Sequence, residues 1–369
     1  METTPSLTAS EPGRMPWPEL LEQLATLHAD LFVIMTDVSF PFSLACDAVA
    51  HITALCPCTL HTFPAGERAR NLMTVEAMAQ EVLAAGVTRR SCIIGLGGGL
   101  AGSVAGLLAT LLLGGIRLVQ IPTTLLAVTE SLLSLKQTMN TRLGKNHLSA
   151  CYAPQLVWND LSYLQSLSRI EIQEALCELL KNVLAISPQH YEKVAALLDP
   201  AAAYTQEQYL ECIKLCVSAR CAVIRDDLQE KNEALVFEYG HTVGYALEML
   251  AQEALPAGTL LHGLAIGLGM LVAARISCMM GLLSTDDEQA HFELLRRNSA
   301  PTAIPEGIST WSLISAINHV HKRGYFPETM GHYLMVLLDR PGQPHRSQGA
   351  VLTWVPIEML HAGIEAIRH

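Results

Sequence analysis

Three side chains in the second half of the chain have the chemistry of metal ligands: Glu178, His241 and His262. Each lies in an apolar segment with the spacing of a buried helix. A single histidine on an apolar face is more often a hydrogen-bonded core residue than a ligand. A carboxylate with two imidazoles, however, is a ligand set that leaves a position open on a catalytic divalent cation. The three residues therefore predict a metal site, although spacing alone leaves the core interpretation open.

A second candidate site lies in the first half, where IIGLGGGLAG (93–102) places consecutive glycines between an apolar run and a helical pattern. Glycines let a backbone approach a pyrophosphate, and a helix N-terminus adds unpaired N–H groups and a positive dipole. The spacing GGGxxG differs from the usual GxGxxG, so a tight structural turn is the alternative. Polar side chains at the ends of neighbouring strands favour a dinucleotide. The predicted cofactor contacts here are Asp37, Gly97, Gly98, Gly99, Gly102, Thr123 and Thr124.

The elements that must position these residues differ between the two halves. Apolar runs alternate with helical patterns in the first half, which predicts a parallel sheet with crossover helices. The predicted strands lie in 31–37, 58–66, 91–99 and 117–124, with helices in 75–86 and 103–115. Long helical patterns follow residue 160, in 169–187, 206–226, 233–252, 260–281 and 285–297.

The fold class predicted is an α/β nucleotide-binding domain with a parallel sheet, followed by an all-α metal-binding domain. A flexible extension is predicted over 1–17, the α/β domain over 18–160 and the helical domain over 161–369. In such folds a ligand binds at the carboxyl ends of the strands, so we expect the site in the cleft between the domains.

Composition narrows the possible classes of function. A chain of 369 residues is too long for one ordinary core, and a net charge of −11 argues against nonspecific nucleic-acid binding. The uncharged run between Arg90 and Arg117 is long enough to cross a membrane, but its glycines favour a strand, a loop and a helix. The N-terminus lacks the apolar core of a signal peptide.

The ten cysteines predict free thiols in a reducing cytoplasm, because several lie in apolar runs. Cys56 and Cys58 could bind a metal, but no second cysteine pair completes a zinc-ribbon spacing.

The chain resembles the sugar-phosphate cyclases, the dehydroquinate-synthase-like enzymes, over residues 31–355. The segments that carry the resemblance are SLLSLKQTMNTRLGKN (131–146), CELLKN (177–182), FEYGHTVGYALE (237–248), HGLAIGLGM (262–270) and KRGY (322–325). Dehydroquinate synthases typically have GGK in the lysine segment and asparagine before FGH. The SLK of 134–136 and Glu238 before YGH resemble instead the branch of the family that forms 2-deoxy-scyllo-inosose. Formation of that compound is the first step of 2-deoxystreptamine aminoglycoside biosynthesis.

The resemblance implies an NAD- and metal-dependent cyclase, with cobalt or zinc, acting on glucose 6-phosphate. The C4 hydroxyl is oxidised transiently, phosphate is eliminated, the hydride returns and an intramolecular aldol closes a carbocycle. The cofactor ends as it began. The resemblance also suggests a homodimer and a small sugar phosphate as the binding partner. The cytoplasmic location is expected from the cysteines, and the charge and the glycines argue against a nucleic acid and a membrane.

The resemblance also assigns roles to residues. Glu178, His241 and His262 would bind the metal. Lys136 would stabilise oxyanions or relay protons, and Glu238, one helical turn before His241, would be an acid, a base or an orienting group. Lys181 would reach the sugar. The residues expected to hold cofactor or phosphate are Lys145, Asn146 and Lys322, with Glu67 and Arg70 in a nucleotide-contacting loop.

Five positions depart from the family pattern: Ser103, Gly114, Glu130, Tyr245 and Val320. Tyr245 replaces a histidine near the substrate phosphate, and Gly114 replaces a phosphate-binding arginine. These departures leave three interpretations open: a cyclase with a rebuilt phosphate pocket, a cyclase for another sugar phosphate, or a weakly active NAD-binding partner subunit. A metal-dependent polyol dehydrogenase would share the two-domain plan, but Lys136 and the GKN segment argue against it.

Overall fold

The chain forms two units in the computed structural model, Met1–Leu167 and Ser168–His369. The structure describes residues 6–8, 17–130, 134–199, 203–227, 229–256, 258–318 and 329–368. Most of the predicted N-terminal extension therefore lies outside the described residues. So do Val320 and the KRGY segment with Lys322.

A six-stranded parallel sheet forms the centre of the first unit, in the order β1-β8-β5-β4-β2-β3. The strands of this unit are β1 (Ser6–Thr8), β2 (Phe32–Asp37), β3 (Cys58–Phe63), β4 (Cys92–Gly97), β5 (Arg117–Pro122), β6 (Lys136–Thr141), β7 (Gly144–Cys151) and β8 (Leu156–Asp160). β2 and β4 are buried along their whole length. Strands covered on both faces read as continuous apolar runs, which is why the sequence located them.

Helices cover both faces of this sheet. They are α1 (Trp17–Ala25), α2 (Phe42–Ile52), α3 (Leu72–Ala84), α4 (Gly99–Leu111) and α5 (Leu125–Thr129). Alternate residues of β2 enter opposite cores, as the pleat requires. Val33 and Met35 pack in the core that contains α3 and α4, whereas Phe32 and Ile34 pack in the core that contains α1 and α2. The predicted α/β unit with a parallel sheet is confirmed.

The strands β6 and β7 form a separate antiparallel hairpin that the sequence did not predict. The hairpin packs on α4, where Gly106 leaves the space occupied by the side chain of Gln137. It carries Lys136, Lys145 and Asn146.

The second unit is predominantly helical, which confirms that part of the predicted fold. Its helices are α6 (Arg169–Ala185), α7 (Tyr191–Leu197), α8 (Gln206–Ile224), α9 (His241–Ala254), α10 (His262–Met279), α11 (Thr285–Arg297), α12 (Thr310–Ile317) and α13 (Ile357–Ala366). Two small antiparallel sheets were not predicted. They pair β9 (His332–Met335) with β12 (Thr353–Pro356), and β10 (Leu338–Arg340) with β11 (Gln343–Pro344).

The most apolar long helix is α10. Among the described residues it alone is long and apolar enough to cross a membrane, and 78% of it is buried inside the protein. That burial is typical of the central helix of a helical unit.

The predicted helix over 233–252 is wrong in its first part. A 3-10 helix covers Glu233–Glu238, Tyr239 has extended backbone angles, and Gly240 has a φ of 80°. The left-handed angles of Gly240 end any continuous helix, so α9 begins only at His241.

Candidate metal centre and nucleotide site

Glu178, His241 and His262 come together in the second unit from three different helices, α6, α9 and α10. Nε2 of His241 lies 3.9 Å from Glu178 Oε1, and Nε2 of His262 lies 3.8 Å from the same oxygen. One ligand atom from each residue lies within 4.8 Å of the others. Two atoms that bind one cation at about 2.1 Å lie at most about 4.2 Å apart, so the separations from Oε1 fit a shared ion.

The two imidazoles are held from behind by hydrogen bonds. His241 Nδ1 lies 3.1 Å from the carbonyl oxygen of Tyr239, and His262 Nδ1 lies 2.9 Å from Glu248 Oε2. Both partners are acceptors, so both Nδ1 atoms carry the proton and both Nε2 lone pairs remain available to a cation. The three residues therefore fit a divalent metal in donor type and in orientation.

Carboxylates outnumber ammonium groups around these imidazoles. Lys181 forms an ion pair with Glu178 Oε2, and both side chains are fully buried. Glu174 and Glu248 add two further carboxyl groups. Burial raises the pKa of Glu174 to about 7, and His262 partly offsets that effect. A bound divalent cation would offset this excess of buried negative charge.

Glycines let the ligand helices approach closely, as the sequence predicted beside His262. A Cβ on Gly263 would lie 2.0 Å from the backbone oxygen of Glu174 on α6. A Cβ on Gly269 would lie 2.0 Å from the backbone oxygen of Gly240, just before α9. No larger residue fits at these two contacts, which set how α10 lies against its neighbours.

Tyr245, which departs from the family pattern, contacts both histidine ligands. Its ring centroid lies 5.0 Å from that of His241 at an interplanar angle of 77°, and 5.7 Å from that of His262 at 25°. The phenol ring thus forms one wall of the metal centre.

Glu238 does not share a helix with His241, contrary to the sequence prediction. It ends the 3-10 helix, and the break at Tyr239 and Gly240 separates it from α9. Its half-buried side chain is therefore oriented by the 3-10 segment rather than by helical spacing from His241.

The glycine loop in the first unit joins β4 to α4. Gly97 has a φ of 147°, and a Cβ there would lie 2.8 Å from the Cβ of Ala101. Its carbonyl accepts a hydrogen bond from Thr123 N at 3.0 Å. The position of a Gly97 Cβ is also 4.0 Å from Asp37 Oδ2. The predicted strand-end residues therefore meet the loop.

The rest of the loop leads into α4. Gly98 is the N-cap residue of that helix and packs against the side chain of Thr124. Gly99 is the first helical residue, and Gly102 N donates to Gly98 O at 3.1 Å. The first N–H groups of a helix have no partner within that helix, and a helix N-terminus of this kind can bind an anion such as a pyrophosphate.

Glu67 is the centre of a polar network that joins the other predicted cofactor residues. Its carboxylate accepts from Arg70 Nε at 3.2 Å and from Asn140 Nδ2 at 2.9 Å, and it lies 3.2 Å from Lys145 Nζ. Arg70 also donates to Ser103 Oγ at 2.7 Å. Asn140 and Ser103 were not predicted as site residues.

Two other departures and two predicted catalytic residues lie in the first unit. Lys136 begins β6 and is half-buried. Asn146, in the β7 strand of the hairpin, donates its backbone N–H to Asn140 Oδ1 at 3.0 Å. Gly114 has a φ of 84°, so an arginine there would need backbone angles that it rarely adopts. Glu130 ends α5.

Comparison with known proteins agrees with this fold. The N-terminal family model of 3-dehydroquinate synthase matches residues 60–174, and the C-terminal model matches residues 175–323. The chain belongs to the 3-dehydroquinate synthase family of sugar-phosphate cyclases.

Within that family the chain is similar to 2-deoxy-scyllo-inosose synthases. It is 38% identical to the enzyme of Streptoalloteichus tenebrarius over 338 residues, 91% of this chain and 86% of that protein. It is also 38% identical to the enzyme of Micromonospora echinospora over 341 residues, 92% and 85% of the two chains. A crystal structure of 2-deoxy-scyllo-inosose synthase complexed with carbaglucose-6-phosphate, NAD+ and Co2+ matches with a TM-score of 0.86. That match has 33% identity and covers 95% of this chain and 94% of the other.

Proposed function

We infer that this chain converts glucose 6-phosphate into 2-deoxy-scyllo-inosose and inorganic phosphate. The observation that carries the inference is the buried Glu178, His241 and His262 centre, in a chain similar over 95% of its length to a synthase whose structure holds carbaglucose-6-phosphate, NAD+ and Co2+. The reaction is a phosphate elimination followed by ring closure, so substrate and products have the same overall oxidation state.

The chain's own residues fit the requirements of that reaction. A divalent cation bound by the triad would act as a Lewis acid on substrate oxygens, and a bound NAD would accept and return one hydride. The Nδ1 hydrogen bonds hold both imidazoles with Nε2 toward Glu178, so the site is oriented before a ligand enters. Lys181 offsets the charge of Glu178 within the buried site.

We propose that the glycine loop and the Glu67 network bind the nucleotide. Asp37 lies beside Gly97, and its Oδ2 can accept a hydrogen bond from a ribose hydroxyl. Its Oδ1 already accepts a hydrogen bond from Ser39 N at 2.9 Å. The N-terminus of α4 supplies N–H groups for the pyrophosphate. Arg70 and Lys145 bring positive charge to the same region of the first unit.

We propose that Lys136 and Glu238 move protons during elimination and ring closure. An ammonium on Lys136 can stabilise an oxyanion, and a half-buried carboxylate on Glu238 can accept or return a proton. Asn146 and Lys322 stay predicted phosphate contacts, and Lys322 lies outside the described residues.

A second candidate is a cyclase for a different sugar phosphate. Two observations favour it: Tyr245 occupies a position that carries a histidine in related cyclases, and the backbone at Gly114 disfavours arginine. Each lost charge-assisted contact costs about 1.5–3 kcal/mol, so the chain must bind phosphate through other groups or accept another substrate.

The same proposal covers the pathway, the oligomeric state and the cellular compartment. A 2-deoxy-scyllo-inosose synthase would serve aminoglycoside biosynthesis, and we propose a homodimer that works in the cytoplasm. All ten cysteines are free, which suits a reducing compartment.

A substrate panel tests the proposal. Purified protein with NAD and Co2+ is given glucose 6-phosphate, mannose 6-phosphate or fructose 6-phosphate, and released phosphate is measured. Phosphate from glucose 6-phosphate alone, abolished in Glu178→Gln, is expected. Faster release from another sugar phosphate would favour the second candidate, and no release from any would contradict both.

A further inference from the structure

His262 is the most exposed of the three candidate ligands. Its side chain is 22% exposed, against 6% for His241 and 0% for Glu178. It is also the first residue of α10, at the end of a loop that follows α9. A ligand in that position needs a specific contact to keep its ring in the orientation that binds a metal.

One face of α9 supplies that contact. His241, Tyr245 and Glu248 are spaced i, i+4 and i+7, so their side chains lie along one stripe of the helix. The stripe contains a ligand, then a ring stacked on His262, then a carboxylate 2.9 Å from His262 Nδ1. Two residues on the same face of α9 therefore contact His262, the candidate ligand on the next helix, from two directions.

We propose that Glu248 is the positioning residue for His262, fixing its tautomer and ring orientation through the Nδ1 hydrogen bond, with the ring of Tyr245 limiting rotation. The proposal rests on the metal site of the proposed function. Glu248 would not touch the substrate or the metal. It acts through the donor strength and the direction of the His262 Nε2 lone pair.

The nature of the partner distinguishes the two imidazole ligands. His241 Nδ1 has a backbone carbonyl as its acceptor, which no side-chain substitution can remove. His262 has a carboxylate that is itself buried, with a side chain only 7% exposed. A buried carboxylate polarises the imidazole more strongly than a neutral carbonyl does, so the ligand that is less enclosed has the stronger partner.

Metal binding by variants of Glu248 tests the proposal. Glu248→Leu removes the acceptor, Glu248→Gln keeps an acceptor oxygen without the charge, and Glu253→Gln is the control on an exposed position of the same helix. The readouts are the Co2+ dissociation constant, by competition with a chelator, and the visible absorption spectrum of bound Co2+. The thermal midpoint of the metal-free protein reports separately on folding.

Glu248→Leu is expected to weaken Co2+ binding by about 10- to 100-fold and to change the Co2+ spectrum, the usual effect of losing such a partner. Glu248→Gln is expected to keep the spectrum and to lose about 3- to 10-fold in affinity. Glu253→Gln is expected to match the wild type. The wild-type affinity and spectrum in Glu248→Leu would overturn the proposal. If that variant does not fold, the wild-type affinity and spectrum in Glu248→Ala, which also removes the acceptor, would do so.

The wild-type protein and His241→Ala separate this proposal from the proposed function. Co2+ binding that is lost in His241→Ala but unchanged in Glu248→Leu would overturn only the role of Glu248. A wild-type protein that binds no Co2+ would overturn both the role of Glu248 and the metal centre.

Discussion

We expect the folded protein to lose stability in mild acid because of the buried hydrogen-bonded pair of Tyr239 and His291. His291 is fully buried. Its Nε2 lies 2.9 Å from Tyr239 Oη, and its Nδ1 lies 2.7 Å from the backbone oxygen of Asp287. His291 Nδ1 therefore donates a hydrogen bond to the backbone oxygen of Asp287, and His291 Nε2 accepts a hydrogen bond from the hydroxyl of Tyr239. Tyr239 in turn offers its own carbonyl to the metal ligand His241.

The direction and size of the effect follow from the pKa of His291. Burial lowers that pKa from 6.5 to about 4, and the hydrogen bond to Asp287 opposes the shift. Between these values the unfolded chain binds the proton and the folded chain does not. The stability is therefore complete above pH 6.5 and falls as the pH decreases toward 4. The linkage relation gives a loss of about 2 kcal/mol between pH 7.5 and pH 5 from this residue alone.

The assay is urea unfolding followed by tryptophan fluorescence at pH 7.5 and pH 5, for the wild type and His291→Gln. The variant is expected to be less stable at pH 7.5, by about 1–3 kcal/mol, because a glutamine amide does not reproduce both the packing of the buried ring and the positions of its two hydrogen bonds. Its further loss on acidification is expected to be about 2 kcal/mol smaller than that of the wild type. Other titrating groups are common to both proteins and cancel in the comparison.

His28→Asn is the control, because His28 is exposed and has a φ of 48°, which asparagine tolerates. It should keep the full wild-type dependence on pH. If His291→Gln has the same dependence on pH as the wild type, the assignment of the acid loss to His291 is refuted.

Three further substitutions test the candidate metal centre and the candidate nucleotide site. His241→Ala should abolish stoichiometric Co2+ binding measured by elemental analysis, and full occupancy would remove this residue from the ligand set. Gly97→Ala should weaken NAD binding by at least about 10-fold in a fluorescence titration, because its Cβ would meet Ala101, whereas Gly307→Ala, whose Cβ would make only ordinary van der Waals contacts, should bind NAD as the wild type does. Tyr245→Phe should keep Co2+ affinity, since the ring remains, while lowering kcat/KM for glucose 6-phosphate by about 2- to 10-fold if the hydroxyl donates to substrate. An unchanged kcat/KM would exclude that donation.

The strands were accessible from sequence because their patterns are strong, and the candidate ligand triad because its residue types are unusual in their setting. β2, β4 and β5 are apolar runs that end in turn residues, and both faces are buried. Glu178, His241 and His262 were found because charged and titratable groups in apolar helices are rare. The resemblance to cyclases then joined segments that are far apart in the chain.

The hairpin of β6 and β7 escaped prediction because its residues are largely polar and only partly buried. Such strands lack the alternation that identifies a half-buried strand. The break before α9 was missed for a different reason. FEYGHTVGYALE contains two glycines, Gly240 and Gly244, inside an otherwise helical pattern. Only the positive φ at Gly240 shows that this glycine interrupts the pattern, whereas Gly244 lies inside α9.

Glu248 could have been found from sequence. Its spacing of seven from His241 places it on the ligand face of the same helix, where a buried acid needs a partner. Asn140 could not, and Ser103 was noticed only as a departure from the family pattern. Their contacts with Glu67 and Arg70 join positions that are 73 and 33 residues apart.

The transient oxidation of substrate is the central claim about the chemistry, and glucose 6-phosphate deuterated at C4 tests it most directly. Purified protein with NAD and Co2+ is incubated with this substrate, and the product is examined by mass spectrometry and NMR. The account predicts a carbocyclic ketone that retains the deuterium, one phosphate released for each molecule formed, and no accumulating NADH. Accumulating deuterated NADH, or phosphate released without a carbocycle, would contradict it.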